Sequence, residues 1–298
     1  MVNHVSANLI TGLTAVNDSG VLKVALPQSG GLASLEITAR ATNGAGGAAS
    51  FGVLAAISKV AVKTVHGQNV LDMSATELYR LNTLISREAP QLSQGVAAGA
   101  IQTVKLPINF GIGKTDDTMG LDMSKYPDCE LHVSYTLEIS GADGFVTKSF
   151  NIDVDARQTD QQQAPAYQGR IALALADHGT TAVRNPHTFR IMNADNVIGV
   201  HLYAYKAGTA DNALVRNVTM ITLPDYKKQV QASFSDLQEK FRPIAGSILT
   251  SWLTIWVAPG RENVNTVLPL RAKGTEIQLE ELVADGAVKI FVEEQLAY

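Results

Sequence analysis

Cysteine is nearly absent from this chain of 298 residues, with Cys129 standing alone. A single thiol excludes an intrachain disulfide framework and any zinc centre built on several cysteines. Charge is sparse as well, at 17% of residues, against about 25% in an average soluble domain. So lightly charged a surface suits a chain much of whose outside is covered, for instance by further copies of itself. The net charge of −4 argues against a protein held to nucleic acid by a basic patch. No apolar run approaches the roughly 18–20 residues of a membrane-spanning helix. The opening Met1–Ile10 lacks the basic start and apolar stretch of a secretory signal. Together these absences lead to the expectation of a soluble protein made in a reducing cytoplasm.

Apolar residues, by contrast, are plentiful at 46% of the chain. A chain of this length buries roughly 75% of its unfolded surface and holds one large domain or two ordinary ones. Period-2 alternation dominates the pattern. Leu131, Val133, Tyr135, Leu137 and Ile139 alternate with polar residues, and so do Val146, Phe150, Ile152 and Val154. The Asp-Gly pair in Gly141–Gly144 suits a tight turn, which predicts an antiparallel hairpin between the two runs. Further strands are predicted at 21–26, 32–42, 57–65, 68–72 and 101–110 in the first half. The second half offers 170–176, 188–193, 197–205, 213–221, 247–257, 275–283 and 286–296. Short strands separated by turn-rich segments indicate an all-β sandwich or barrel.

Two helices interrupt the strands. Residues 74–88 open on Ser74 with Glu77 three positions on, a capping box, and stop at Pro90. Residues 223–241 are predicted as the second helix, opened by Thr222, Pro224 and Asp225 and ended by Pro243. Its apolar positions Leu223, Tyr226, Val230, Phe234, Leu237 and Phe241 fall three or four apart. The polar stretch 153–169 reads as a linker near the middle of the chain.

On either side of that linker the element order repeats. The strand at 57–65 matches 197–205, 68–72 matches 213–221, the first helix matches the second, and 101–110 matches 247–257. Ala142-Asp-Gly-Phe-Val146 aligns with Ala284-Asp-Gly-Ala-Val288. What repeats is architecture more than residue identity. The expected fold is all-β: two tandem eight-stranded antiparallel jelly rolls, each with one inserted helix before its last three strands. The boundaries expected are 1–157 for the N-terminal roll, including an arm over about 1–19, then 158–169 for the linker and 170–298 for the C-terminal roll.

This arrangement resembles the double jelly-roll major capsid proteins of tailless, membrane-containing icosahedral viruses and bacteriophages. The local similarity is carried by Ile57–Val65, the turn His66–Asn69, the helix Thr76–Asn82 and Gly120–Tyr126 leading into 131–139. The resemblance covers nearly the whole chain from about residue 20. It implies a non-enzymatic structural protein that forms homotrimers, each a pseudo-hexameric capsomer, and self-assembles into an icosahedral shell. The implied partners are further copies of the chain, minor capsid and penton proteins, and an internal viral membrane. The implied location is the virion, after synthesis in the host cytoplasm. Direct sequence-specific nucleic-acid binding is not expected, because residues 1–50 hold only Lys23 and Arg40 as cations.

No catalytic, cofactor or metal residues are assigned, and each motif that invites one has a plainer reading. Gly111-Ile-Gly-Lys-Thr115 lacks the upstream loop glycine of a phosphate-binding loop, since Ile108 holds that place. Asn43–Ser50 is glycine-rich but lacks dinucleotide spacing and reads as a loop. Asp116, Asp117 and Asp122 lack the spacing and terminal glutamate of an EF-hand calcium loop. His4, His66, His132, His178, His187 and His201 show no metal-ligand spacing. Cys129 reads as a small core residue. Trp252 and Trp256 share one side of a strand apolar on both faces, which indicates burial. If those tryptophans were exposed, they would favour the alternative of a carbohydrate-binding β-sandwich from a phage fibre or spike. A hydrolase on a cupin-like roll would need a clustered His/Glu set, which is not visible in the sequence.

Overall fold

A computed structural model describes residues 4–47, 52–67, 69–86, 89–110, 119–126, 128–139, 144–159, 167–168, 170–181, 186–191, 197–206, 209–222, 227–245, 250–256, 275–281 and 284–295. The chain divides into two compact units, Met1–Arg170 and Ile171–Tyr298.

In the first unit the order is β1 (His4–Thr14), β2 (Ser19–Ala25), β3 (Gly31–Thr42), a short α1 (Val53–Ala56), β4 (Ile57–Lys63) and β5 (Asn69–Met73). Then come α2 (Ala75–Ser86), β6 (Leu92–Ser93), β7 (Ile101–Asn109), β8 (Met119–Asp122), β9 (Glu130–Thr136), β10 (Asn151–Thr159) and β11 (Tyr167–Gln168). One sheet runs β1-β10-β3-β7 with β6 at its edge, and β8 pairs with the start of β3. The other runs β5-β4-β9-β2. Successive long strands therefore alternate between sheets, which is the jelly-roll path. Its core is filled by alternating residues such as Leu35, Ile37, Val60, Leu106, Val133 and Ile152, none more than 1% exposed. Tyr135 and Phe150 stack with ring centres 4.7 Å apart. Gly120 is required where β8 meets β3, because a Cβ there would stand 2.8 Å from the Leu32 carbonyl oxygen.

The second unit repeats the plan with β12 (Arg170–Thr181), β13 (His187–Ile191), β14 (Val197–Lys206), β15 (Thr209–Ala210), β16 (Val215–Thr222), β17 (Lys227–Ser233), α3 (Phe234–Ala245), β18 (Trp252–Trp256), β19 (Thr275–Glu281) and β20 (Ala284–Gln295). Its sheets are β12-β20-β14-β18 and β13-β19-β16-β17. Val200, Leu202, Val218, Leu253, Ile277 and Ile290 form its core, all buried. In each unit a helix follows the fifth long strand and precedes the last three long ones: α2 before β7, β9 and β10, and α3 before β18, β19 and β20.

The capping box of α2 forms as expected. The Ser74 backbone N–H donates to Glu77 Oε2 at 2.9 Å, and the Glu77 N–H donates to Ser74 Oγ at 3.3 Å.

Several expectations are overturned. The segment 131–154 is not a hairpin: β9 pairs with β2 and β4, whereas β10 pairs with β1 and β3. The matching turn segment Ala284–Val288 makes no hairpin either, since β19 and β20 lie in different sheets. Alternation fixes which face of a strand is buried but says nothing about its neighbour. The helix expected at 223–241 begins only at Phe234, and Lys227–Ser233 is a strand paired with β16. The true N-terminal bond is from the Asp236 N–H to Ser233 Oγ, at 3.1 Å. The helix also continues through Pro243 to Ala245, since a proline in a last turn removes a single backbone bond. The supposed arm over 1–19 holds β1, which pairs along its length with β10. The linker reading of 153–159 gives way to the second half of β10. Finally, the repeat is displaced by one strand. β14 matches β3 rather than β4, because each occupies the third position of its roll, and β16 and β17 then match β4 and β5.

Candidate functional site

Among the described residues, five of the eight large exposed apolar side chains lie in the connections at one end of the N-terminal roll, while Val5, Val21 and Val65 lie elsewhere on it. Val16 lies between β1 and β2, Val96 and Ile101 lie before and at the start of β7, and Ile139 and Val146 lie between β9 and β10. Val16 and Val96 are 74% and 77% exposed. Backbone bonds bring these connections together: Asn43 N–H to Ala100 O at 2.9 Å, Gly44 N–H to Gly144 O at 2.7 Å, Val146 N–H to Thr42 O at 2.8 Å and Leu137 N–H to Asp18 O at 2.8 Å.

Beneath this surface is a buried polar joint. Asn43, fully buried, donates from Nδ2 to the carbonyls of Gly95 at 2.7 Å and Ala97 at 3.1 Å. Gln102 Nε2 donates to Asn43 Oδ1 at 2.8 Å, and Gln102 Oε1 accepts from the Val53 N–H at 3.0 Å. Satisfied buried amides of this kind hold loops in one geometry. At the rim, Asp18 accepts from Thr147 Oγ1 and from the Lys148 N–H, each at 2.8 Å. Those two bonds hold its carboxyl below the usual carboxylate range. Exposed apolar side chains on loops held this firmly have little left to order if another surface covers them.

The residues singled out from sequence fall elsewhere. Gly111–Thr115, Asp116 and Asp117 lie outside the described residues, while Ile108 is buried in β7. Asp122 is buried and closes a turn, accepting from the Ser124 N–H at 3.1 Å and from its hydroxyl. Asn43, expected in an open loop, is instead the centre of the joint. Cys129 is 1% exposed, and burial together with the charge of Asp128 pushes its thiol up to about 11. Trp252 is 2% exposed, stacked on Phe291 with ring centres 5.9 Å apart and tilted against Tyr203 at 5.5 Å. It offers no open face to a sugar. The Trp256 side chain lies outside the described residues, although its backbone pairs with Gly199.

His4 opens β1, and His66 is exposed in the β4–β5 turn. His132 Nε2 stands 2.8 Å from Glu130 Oε2, and this bond holds the Glu130 carboxyl below its usual range. His201 is buried against Thr254 Oγ1 at 2.9 Å. The remaining two histidines meet. His178 on β12 and His187 on β13 have ring centres 4.3 Å apart, and both face Glu281 at the end of β19. Sequence reasoning missed this grouping because His178 and Glu281 are 103 residues apart. Only the strand pairing of the second roll brings them together.

No family model matches the chain. No curated protein matches it either. Solved structures do match, over nearly all of both chains. The major capsid protein of Sulfolobus turreted icosahedral virus superposes with a TM-score of 0.72 at 10% identity, covering 99% of this chain and 97% of that one. The major capsid protein P2 of bacteriophage PM2 gives 0.65 at 13% identity, covering 99% and 98%. A chain of the PBCV-1 virus capsid gives 0.66 at 12% identity, covering 99% and 94%. The chain therefore has the double jelly-roll fold found in the major capsid proteins of icosahedral viruses.

Proposed function

We propose that this chain is the major capsid subunit of an icosahedral virus. The observation that carries the proposal is the doubled element order: two rolls of matching topology, each with a helix between its fifth and its last three long strands. Three copies of such a chain supply six similar rolls, so a trimer presents a nearly sixfold outline that can tile a surface. A closed shell also needs fivefold vertices, which a six-roll unit does not fill. Penton and minor capsid proteins are the partners that role requires. The sparse charge and the exposed valines and isoleucines of the first roll suit contacts of the large, apolar, obligate class. With only Lys23 and Arg40 as cations in residues 1–50, the chain suits a shell kept from its genome by an internal membrane. The subunit is made in the host cytoplasm, resides in the virion and carries out no catalysis.

The test substitutes Val16→Asp, Val96→Asp and Val146→Asp singly and scores each variant by thermal melt and by particle yield. Melts should be preserved, because substitutions at exposed positions cost within about 0.5 kcal/mol, while particle yield collapses for at least one. If yield follows folding at all three positions, this loop end is not an assembly contact.

A further inference from the structure

The C-terminal roll contains a grouping that the capsid reading does not use. His178, His187 and Glu281 present one ligand atom each, all within 4.8 Å of one another. His178 Nε2 lies 2.6 Å from Glu281 Oε1, and His187 Nε2 lies 4.0 Å from Glu281 Oε2. The carboxylate is wholly buried, whereas the imidazoles are 20% and 37% exposed, so the grouping has a closed floor and an open mouth. Phe189, edge-on to His178 at 5.2 Å, forms an apolar wall. Arg190, the nearby cation on β13, is engaged by Glu276 at 2.8 Å.

We propose that these three side chains form a site for one divalent transition-metal ion, with zinc the ion its chemistry suits best. Two imidazoles and a carboxylate are a zinc donor set, whereas calcium and magnesium demand a shell of oxygens. Bonds of about 2.0–2.2 Å to a tetrahedral ion place ligand atoms roughly 3.3–3.6 Å apart. The three ligand atoms, one per residue, all lie within 4.8 Å of one another, so side-chain shifts of about 1 Å bring them to that spacing. Water at the open mouth completes the coordination. The ligands come from both sheets, His178 from the one containing β20 and β14, His187 and Glu281 from the one containing β16. A bound ion thus staples the two sheets of this roll at one end.

The experiment uses the full chain, stripped with chelator and titrated with zinc, and separately with cobalt as a spectroscopic reporter. Calorimetry should find about one zinc per chain. Cobalt should give the intense visible absorption of a tetrahedral site. Zinc at a hundredfold excess over its Kd should raise the melting temperature by roughly 5–10 °C. His178→Gln and His187→Gln should each abolish the absorption and the thermal shift, while His66→Gln and His132→Gln change neither. Glu281→Gln should do the same as the first pair, and if it fails to fold, the half-exposed His187 variant still decides. No stoichiometric zinc binding, or binding that survives both His178→Gln and His187→Gln, overturns the site.

Discussion

Gln102 and Asn43 are joined amide to amide, with Gln102 Nε2 donating to Asn43 Oδ1 over 2.8 Å in the interior of the first roll. Gln102 lies on β7 and Asn43 just past the end of β3, and the two side chains together hold the Gly95 and Ala97 carbonyls and the Val53 N–H against the sheet. Asn43→Ala would strand the carbonyls of Gly95 and Ala97 and one Gln102 donor. At about 1–3 kcal/mol for an unsatisfied buried group, partly relieved by water, the loss should reach about 2–4 kcal/mol. Urea unfolding of the variant checks it, and a change below 0.5 kcal/mol would mean the joint carries no load.

Asp18 should make the same loop end acid-sensitive. Its folded pKa lies below its ordinary 3.8, so its contribution is complete above the unfolded value and disappears as pH falls through the folded one. Melting temperature followed from about pH 5 to pH 2 should fall more steeply for the native chain than for Asp18→Asn. Parallel curves would show that the bonds from Thr147 and Lys148 to Asp18 do not stabilise the loop end.

Cys129 should be chemically silent. Its thiol sits at about 11 and is 1% exposed, so at pH 8 only about one thiol in a thousand is ionised. Ellman's reagent should find no reactive thiol in the native protein and one per chain in guanidinium. Rapid native labelling would contradict the burial.

Phe234 begins α3 and is 2% exposed within the core of the second roll. Phe234→Ala should cost about 3–5 kcal/mol, whereas Glu239→Gln on the exposed side of that helix should cost within about 0.5 kcal/mol. Equal effects at both positions would show that the helix does not pack as described.

Most strands were legible because period-2 patterning is local, and β3, β7 and β14 stand within a residue or two of their expected limits. Pairing was not legible. The runs at 131–139 and 146–154 read as a hairpin because their turn residues are ideal, yet the chain between β9 and β10 crosses from one sheet to the other. The stretch 227–233 was lost to a helix because Val230, Phe234 and Leu237 satisfy a helical spacing. Val230, Ala232 and Phe234 also satisfy a strand's, and pairing with β16 decides between them. Asn43 looked like a loop residue because nothing in its neighbourhood reveals Gln102, fifty-nine positions on. The His178, His187 and Glu281 grouping was invisible for the same reason. Strand patterns survive in one dimension, while sites assembled across a roll do not.

Electron microscopy of the purified chain, with its mass measured in solution, tests the capsid proposal most directly. The expected result is a particle of three 31.8 kDa chains with six lobes around its axis. A chain that remains monomeric at every concentration, or that joins into open filaments, would contradict it.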